Sequence, residues 1–202
     1  MAIDFTLTPE LEEIRQRVRT FINEVVKPGE AELAQLRDED RGDYIGKLVA
    51  MRKQAHAVGL WMPHMPKEWG GMGLGHVQLA MVQAEAAKAG YGPWVLNCQA
   101  PDEGNMHTLL HWGTPEQKEK YLRPLCDGTA MSCFAMTEPE VAGSDPTLIR
   151  TYAVQDGDEW VINGHKWFIS NARRAKFAIL VCRTEDNPDL PQAANTAFIV
   201  DL

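Results

Sequence analysis

The sequence predicts an α+β protein, with an all-helical region first and an antiparallel β-domain after it. Apolar residues recur every three to four positions up to about residue 129, and short segments rich in β-branched and aromatic residues follow. Strand-like segments do not alternate with the helices, so the alternating α/β class is not predicted. We therefore predict a helical domain over residues 1–129 and a β-domain over residues 130–202.

The first helix is predicted to begin after Thr8, a suitable N-cap, with Pro9 in the first helical position. We expect this helix to end at Lys27-Pro28, because proline interrupts helical hydrogen bonding. Its inward face is predicted from apolar residues that step by three and four positions, namely Leu11, Ile14, Val18, Phe21 and Val25.

Four further helices are predicted before the residue pattern changes from helical to strand-like. They cover residues 44–58, which Gly59 closes, then 76–88, 106–112 and a segment that begins after Thr114. The last has a capping box, with Thr114 as N-cap and Gln117 at the third helical position. In the helix over 76–88 the residues expected to face inward are Val77, Ala80, Met81 and Ala84.

The β-domain is predicted to open with the strand "SCFAMT". "TYAVQ", "EWVIN" and "HKWFIS" follow, separated by Asp156-Gly157 and Asn163-Gly164, and the Asn-Gly pair is typical of a hairpin turn. "KFAILVCR" and "TAFIVDL" add two more strands. Because the last strand-like segment reaches Leu202, we expect an incomplete β-domain that belongs to a longer protein.

Composition excludes several functional classes. The formal net charge of −8 does not favour binding to nucleic acid, and no apolar run has the length of a membrane span. The amino terminus lacks the features of a secretory signal, so we expect a cytoplasmic protein. The four cysteines follow no metal-binding spacing and are expected to be ordinary reduced thiols.

Three motifs are weak as functional signals. The Gly-rich segment 69–76 lacks the G-x-G-x-x-G spacing and a preceding strand, so a turn between helices is the better interpretation. His107 and His111 share a helix face but have no third ligand nearby in sequence, so no metal site is predicted. Glu138 and Glu140 could serve as an acid and a base, but we interpret them as a solvated surface.

Two apolar segments lead into small polar groups, at residues 131–145 and 167–172. Such segments can cover the face of a flat aromatic ligand while backbone amides and hydroxyls meet its polar rim. Two ordinary strands with polar turns would give the same pattern, and the residues alone leave both interpretations open.

The same segments resemble a known family. "FAMTEPEVAGSD" and "GDEWVINGHKWFISNA" are similar to the flavin-binding strands of acyl-CoA dehydrogenases. "MPKEWGGMGL" and "HWGTPEQKEKYLRPLCDG" resemble the helical domain of that family, in the same order. The segment "NCQAPDEGNM" resembles the branch that in animals is fused to an aminoglycoside-phosphotransferase-like kinase domain.

The resemblance implies a role for FAD, in fatty acid metabolism, in oxidising an acyl-CoA thioester to the trans-2-enoyl-CoA. A glutamate base removes the α-proton while the β-hydride passes to the flavin. An electron-transfer flavoprotein is the implied acceptor, and a homo-oligomer the implied assembly. That glutamate lies in a carboxyl-terminal helical domain that we expect to be absent here, so we assign no catalytic residue and expect no activity from the 202 residues alone. The alternative is a catalytically silent flavin- or CoA-binding or assembly module.

The resemblance also implies particular contacts. Thr137 would donate to the pyrimidine edge of the flavin, and Phe168 would lie against its ring with Ser170 near N5. Ser144 would lie near the pyrophosphate and the pantetheine arm. The implied cofactor residues are Phe134, Met136, Thr137, Gly143, Ser144, Phe168, Ile169 and Ser170, and the implied substrate residues are Phe134 and Ser144.

The sequence departs from the family pattern at three points. The loop after Pro139 is one residue longer, because Glu140 and Val141 both precede Ala142. Position 168 is Phe where the family often has Trp, and position 170 is Ser where Thr is usual. None of these differences removes the apolar face or the hydroxyl groups that a flavin would need.

Overall fold

In the computed structural model of the protein, the described residues are 6–36, 41–185, 189 and 194–202. The helical part precedes the sheet, as predicted. Its α-helices are α1 (Pro9–Phe21), α2 (Lys27–Leu36), α3 (Arg41–Ala57), α4 (His76–Ala86), α5 (Gly92–Val95), α6 (Asp102–Trp112), α7 (Pro115–Gln117) and α8 (Arg123–Cys126). Among the described residues, no helix combines the length and the apolar character needed to cross a membrane.

Helix ends follow the capping residues in the sequence. Thr8 Oγ1 accepts a hydrogen bond from the Leu11 N–H, at 3.4 Å, at the start of α1. At α7 the Gln117 N–H donates to Thr114 Oγ1, and the Thr114 N–H donates to Gln117 Oε1, which completes the capping box. Gly59 adopts a left-handed φ of 70° after α3. These predicted boundaries are confirmed.

The predicted end of the first helix at Lys27-Pro28 is wrong. The chain passes through a π-helical turn, Ile22–Val26, directly into α2. In this turn the Lys27 N–H donates to the carbonyl of Ile22, five residues back, and the wider turn leaves room for the proline ring. The same arrangement recurs where a π-turn, Lys118–Leu122, precedes Pro124 at the start of α8.

Helix α4 buries a different face from the predicted one. Val77 is 70% exposed, whereas Val82, Glu85 and Ala86 are buried. Glu85 accepts hydrogen bonds from Arg19 of α1, at 2.7 and 3.1 Å. The predicted face failed because the buried side of α4 contains a charged residue, which an apolar pattern does not reveal.

The sheet is mixed, which corrects the prediction of an antiparallel domain. It consists of β1 (Ser132–Ala135), β2 (Tyr152–Asp156), β3 (Glu159–Asn163), β4 (Phe177–Arg183) and β5 (Asn195–Asp201). The hairpin β2–β3 and the pair β4–β5 are antiparallel, but β4 runs parallel to both β1 and β2. Parallel pairing is possible because a long connection separates β1 from β4, whereas a meander needs tight turns throughout.

The segment "HKWFIS" is not a strand, and Asn163-Gly164 does not form a hairpin turn. Strand β3 ends at Asn163, and the chain continues without regular structure to a series of turns. Phe168 has a φ of 53°, in the left-handed region, which no strand residue can adopt. A pattern of aromatic and β-branched residues was therefore mistaken for a strand.

The chain divides into two compact units, Met1–Gln99 and Ala100–Leu202. The first has its own core of buried side chains from α1 to α5, including Val18, Leu33, Met51, Val82 and Val95. The second combines α6, α7 and α8 with the sheet, and its core includes Leu109, Leu122, Leu125, Cys133 and Phe177. The four cysteines are buried. The domain division at residues 129 and 130 stays a prediction.

Helix α6 fixes the start of β1 within the second unit. The Asp102 carboxylate accepts hydrogen bonds from the Ser132 N–H at 2.7 Å and from its Oγ at 2.6 Å. Asn105, which is buried, donates to Ser132 Oγ and to the Cys133 carbonyl. These bonds hold the start of β1, which lies within the first of the two candidate segments.

Candidate functional site

The structure brings the two candidate segments together. The Trp167 N–H donates to the Thr137 carbonyl at 3.1 Å, and Lys166 Nζ donates to the Met136 carbonyl at 2.8 Å. Residues 136–137 leave the end of β1, while residues 166–167 follow β3, so the contact joins segments about thirty residues apart. These two hydrogen bonds hold the two polar-edged segments next to each other in the second unit.

Large apolar side chains on these segments are exposed. Phe134 is the one outward-facing residue of β1 and is 41% exposed. Trp167 is 40% exposed and Phe168 is 82% exposed, and their rings lie 4.4 Å apart between centroids with a tilt of 35°. Burial of aromatic side chains is normally favourable, so the exposed, packed rings of Trp167 and Phe168 mark a place where another flat group could pack.

The loop after Pro139 lies against Thr137. A Cβ atom placed on Gly143 would lie 3.1 Å from Thr137 Cγ2, so only a small residue leaves this contact relaxed. The loop turns tightly, with the Asp145 N–H donating to the Ala142 carbonyl at 3.1 Å. Ser144 is exposed at the tip of this turn. Gly143 therefore lies next to Thr137, with Ser144 following it in the chain.

Asp145 stabilises the end of this loop. Its carboxylate accepts hydrogen bonds from Thr147 Oγ1 at 2.6 Å and from the Thr147 N–H at 3.0 Å. These bonds lower the pKa of Asp145 below its usual range. The carboxylate is therefore engaged with Thr147 within its own loop.

A turn after Phe168 determines which groups the second segment presents. The carbonyl of Asn171, whose φ is 68°, accepts hydrogen bonds from the N–H groups of Arg174 and Ala175. Ser170 is exposed on this turn, whereas Ile169 packs against the core residues around Cys133. Ile169 can therefore offer its backbone, but not its side chain, to a ligand on the outer surface. The left-handed conformations were missed because Asn tolerates them without requiring them.

Glu138 is buried, so the interpretation of both glutamates as a solvated surface is wrong for this residue. Only Glu140 lies at the surface, where it pairs with Arg150 at 2.9 Å. Glu138 is 5% exposed and accepts hydrogen bonds from Lys166 Nζ and from the N–H groups of Arg150 and Thr151. Burial alone would raise its pKa, but these hydrogen bonds outweigh burial and hold the pKa at about 2.

The geometry favours binding over acid–base chemistry. Within the described residues, the hydroxyls of Thr137, Ser144 and Ser170 have no hydrogen bond to another protein group, so they can meet a polar rim. A cavity of about 240 Å³ lies beside Glu138 and Arg150, and its lining does not include these hydroxyls or the exposed aromatic rings. The candidate site is thus an open surface, which offers one wall for a flat, polar-edged ligand.

Two protein-family models together match nearly the whole chain. The model of the acyl-CoA dehydrogenase N-terminal domain matches residues 8–129, and that of the acyl-CoA dehydrogenase middle domain matches residues 133–202. The second match includes residues 133–145 of the first candidate segment and the whole of the second.

Similar proteins with curated descriptions belong to the predicted branch. "Acyl-CoA dehydrogenase family member 11" of Homo sapiens is 38% identical over 189 residues, which cover 90% of this chain and 24% of that protein. "Acyl-CoA dehydrogenase family member 10" of Mus musculus is 34% identical over 200 residues, covering 96% of this chain and 19% of that protein. The chain thus spans about a quarter or less of the length of these relatives.

Solved structures show the same fold. A candidate acyl-CoA dehydrogenase from Mycobacterium abscessus matches with a TM-score of 0.86 and 33% identity, over 98% of this chain and 51% of that chain. A glutaryl-CoA dehydrogenase from Mycobacterium smegmatis in complex with FADH2 matches with a TM-score of 0.71 and 24% identity. The match covers 96% of this chain and 46% of that chain. At that identity the second likeness concerns the fold alone.

Proposed function

The chain belongs to the acyl-CoA dehydrogenase family, and we propose that it supplies the flavin- and thioester-binding wall of an enzyme that oxidises an acyl-CoA to the trans-2-enoyl-CoA. The observation that carries this proposal is the hydrogen bond from the Trp167 N–H to the Thr137 carbonyl, at 3.1 Å. It holds the two family motifs next to each other. One motif carries the exposed ring of Phe134 and the hydroxyl of Thr137, and the other carries the exposed rings of Trp167 and Phe168.

The residues present fit FAD. Phe134, Trp167 and Phe168 offer apolar area to the face of a planar ring system. The hydroxyl of Thr137 can donate to a ring heteroatom, and the loop at Gly143 and Ser144 is small enough for a phosphate or a thioester arm to approach. The substitutions of Phe at 168 and Ser at 170 keep an aromatic ring and a hydroxyl where the family pattern has them.

The reaction divides between the cofactor and the protein. FAD, when bound, would accept the hydride that leaves the β-carbon of the substrate. The chain's own residues would orient the thioester and exclude water from one side of the ring, and the family likeness assigns contacts with the thioester to Phe134 and Ser144. This division assigns positioning, and not proton transfer, to the described residues.

We further propose that the base that removes the α-proton comes from a carboxyl-terminal domain outside these 202 residues. Glu138 is a poor base, because it accepts three hydrogen bonds and its pKa of about 2 leaves it little affinity for a proton. Glu140 is held in a surface ion pair with Arg150. The Mycobacterium abscessus structure supports a longer protein, because this chain covers 51% of it.

Other features of the proposal are inferred from the family. They are an acyl-CoA substrate, a role in fatty acid metabolism, an electron-transfer flavoprotein as acceptor and a homo-oligomeric assembly. We also propose a cytoplasmic location. The two family matches, over residues 8–129 and 133–202, also support the proposed division into a helical domain and a β-domain.

The test is purification of the full-length protein. We expect a yellow protein that releases FAD on denaturation, and whose flavin absorbance falls when an acyl-CoA is added without an electron acceptor. A colourless protein that gains no flavin absorbance on adding FAD would overturn the proposal. Flavin binding without bleaching by a panel of acyl-CoA thioesters would instead favour a catalytically silent binding module.

A further inference from the structure

A buried ion pair lies directly behind the candidate site. Lys166 Nζ and Glu138 Oε1 are 2.8 Å apart, and their side chains are 8% and 5% exposed. Both ionic groups have additional partners: Lys166 donates to the Met136 carbonyl, and Glu138 accepts from the N–H groups of Arg150 and Thr151. The pair thus satisfies the hydrogen-bonding requirements that make a buried charge tolerable.

The pair connects three separate segments of the chain. Glu138 follows β1, the Arg150 and Thr151 N–H groups lie just before β2, and Lys166 lies in the connection after β3. An ion pair that contributed only stability would not need to span three segments, and buried ion pairs are often replaceable by apolar residues without loss of stability. The arrangement therefore indicates that these three segments must keep fixed positions relative to one another.

The segments that the pair connects carry the exposed residues of the candidate site. Met136 and Thr137 directly precede Glu138, and Trp167 and Phe168 directly follow Lys166. Phe168 has a φ of 53°, a conformation that an aromatic residue keeps only when its surroundings hold it there. The Lys166 side chain and the neighbouring Trp167 N–H supply two of those constraints, through the Met136 and Thr137 carbonyls.

We propose that Glu138 and Lys166 are positioning residues for the flavin, a clamp that holds the Thr137 and Phe168 segments in the relative arrangement that a planar cofactor needs. The proposal rests on the proposed function, since it names how that site is kept in shape. Neither side chain need touch the cofactor. Their effect passes through the backbone carbonyl of Met136 and through the chain direction at Trp167.

The experiment uses the full-length protein with Glu138→Gln, Lys166→Met and the double variant. Glu140→Gln is the matched control, because this exposed carboxylate is two residues from Glu138 and pairs only at the surface with Arg150. For each protein, three quantities are measured: the thermal midpoint, the dissociation constant for FAD after flavin removal, and amide hydrogen exchange at Trp167 in the flavin-free state.

We expect each single variant to lower the thermal midpoint, because it leaves one charge buried without its partner. The double variant should recover much of that stability, since neither charge remains. Its dissociation constant for FAD should nevertheless stay raised by at least about tenfold, because nothing then donates to the Met136 carbonyl. Exchange at Trp167 should also be at least about tenfold faster than in the wild type.

Two results would overturn the clamp. One is a double variant that binds FAD as tightly as the wild type, which would reduce the pair to a stability element. The other is unchanged exchange at Trp167 in all variants. A flavin-free wild type that binds no FAD would overturn the proposed function, and with it the role of the ion pair in flavin binding. In that case, the exchange rates at Trp167 still show whether the Glu138–Lys166 pair holds the segment around Trp167 in place.

Discussion

Gly164 lies directly against Thr151, at the point where the end of β3 passes the start of β2. A Cβ atom placed on Gly164 would lie 2.2 Å from Thr151 Oγ1 and 2.5 Å from Thr151 Cβ. Thr151 is 3% exposed, so it has no room to withdraw. The contact sets the direction in which the chain leaves β3 toward Lys166 and Trp167, and it explains why a glycine is needed there.

The substitution Gly164→Ala is expected to destabilise the protein by about 1–3 kcal/mol, because overpacking forces the backbone of one segment to move. Gly46→Ala is the matched control, since a Cβ on this exposed residue of α3 meets no atom within 4 Å. It should stabilise the helix by up to about 1 kcal/mol. Urea unfolding of both variants measures the difference, and equal free energies of unfolding would contradict the close contact.

The hydroxyl variants Thr137→Ala and Ser144→Ala are expected to weaken FAD binding by the full-length protein while leaving its fold unchanged. On the proposed assignment each would remove one hydrogen bond to the cofactor, worth about 0.5–1.5 kcal/mol, and more where a charged phosphate accepts it. Thr108→Ala is the control, because that hydroxyl donates to the Gly104 carbonyl within α6. Fluorescence titration of flavin-free protein measures the effect. The same affinity for FAD in all four proteins would argue against the assignment of these hydroxyls.

Local chemistry made much of the fold predictable. Thr8, Gly59 and Thr114 determine helix ends through interactions with residues three or four positions away, and the sequence displays both partners. The order of helices and strands was likewise readable from periodicity. The π-turn before Pro28 was not predictable, because the residue pattern does not show whether a helix widens or ends at a proline.

The site was predictable only in part. The residue types of Thr137, Ser144 and Phe168 suggested a ligand surface, but the contact between Trp167 and Thr137 depends on tertiary folding. Parallel pairing of β1 with β4 has no local signature, and neither does the burial of Glu138. A carboxylate in a polar stretch of sequence is predicted to lie at the surface unless its distant ion-pair partner, here Lys166, is known.

Acid is expected to weaken the packing of α1 on α4 through Glu85. The hydrogen bond from Arg19 is the largest cause of its lowered pKa, with Lys88 adding to it against the effect of burial, and the folded value is about 2 compared with 4.5 normally. A lowered folded pKa means that this contribution is complete above the normal pKa and is lost as the pH falls toward 2. The stability advantage of wild type over Glu85→Gln should therefore shrink by on the order of 1 kcal/mol between about pH 7 and pH 4.

Chemical unfolding at several pH values tests this expectation. Because only the difference between the two proteins is compared, titration of other carboxyl groups largely cancels. A difference that stays constant over the same interval would show that Glu85 gains nothing from its arginine partners.

The capping box at α7 offers a separate measure of local stability. Thr114→Ala removes the side-chain acceptor for the Gln117 N–H and is expected to cost about 0.5–2 kcal/mol of stability. Thr114→Ser keeps the hydroxyl and should retain most of it. Thermal unfolding distinguishes the two, and an alanine variant as stable as the serine variant would show that solvent satisfies the helix end equally well.

The 202-residue chain by itself is expected to show no acyl-CoA-dependent reduction of a dye or of an electron-transfer flavoprotein. Glu138 is saturated with hydrogen-bond donors and Glu140 is paired at the surface, so neither is placed to take the α-proton. Loss of a general base typically removes a factor of about 10²–10⁴ in rate, and an open binding surface also loses substrate orientation. Activity should appear when the carboxyl-terminal region is supplied, in the same chain or as a second one. Turnover by the verified 202-residue polypeptide would show that a base lies within it, and Glu103, Glu138 and Glu140 would be the first residues to replace.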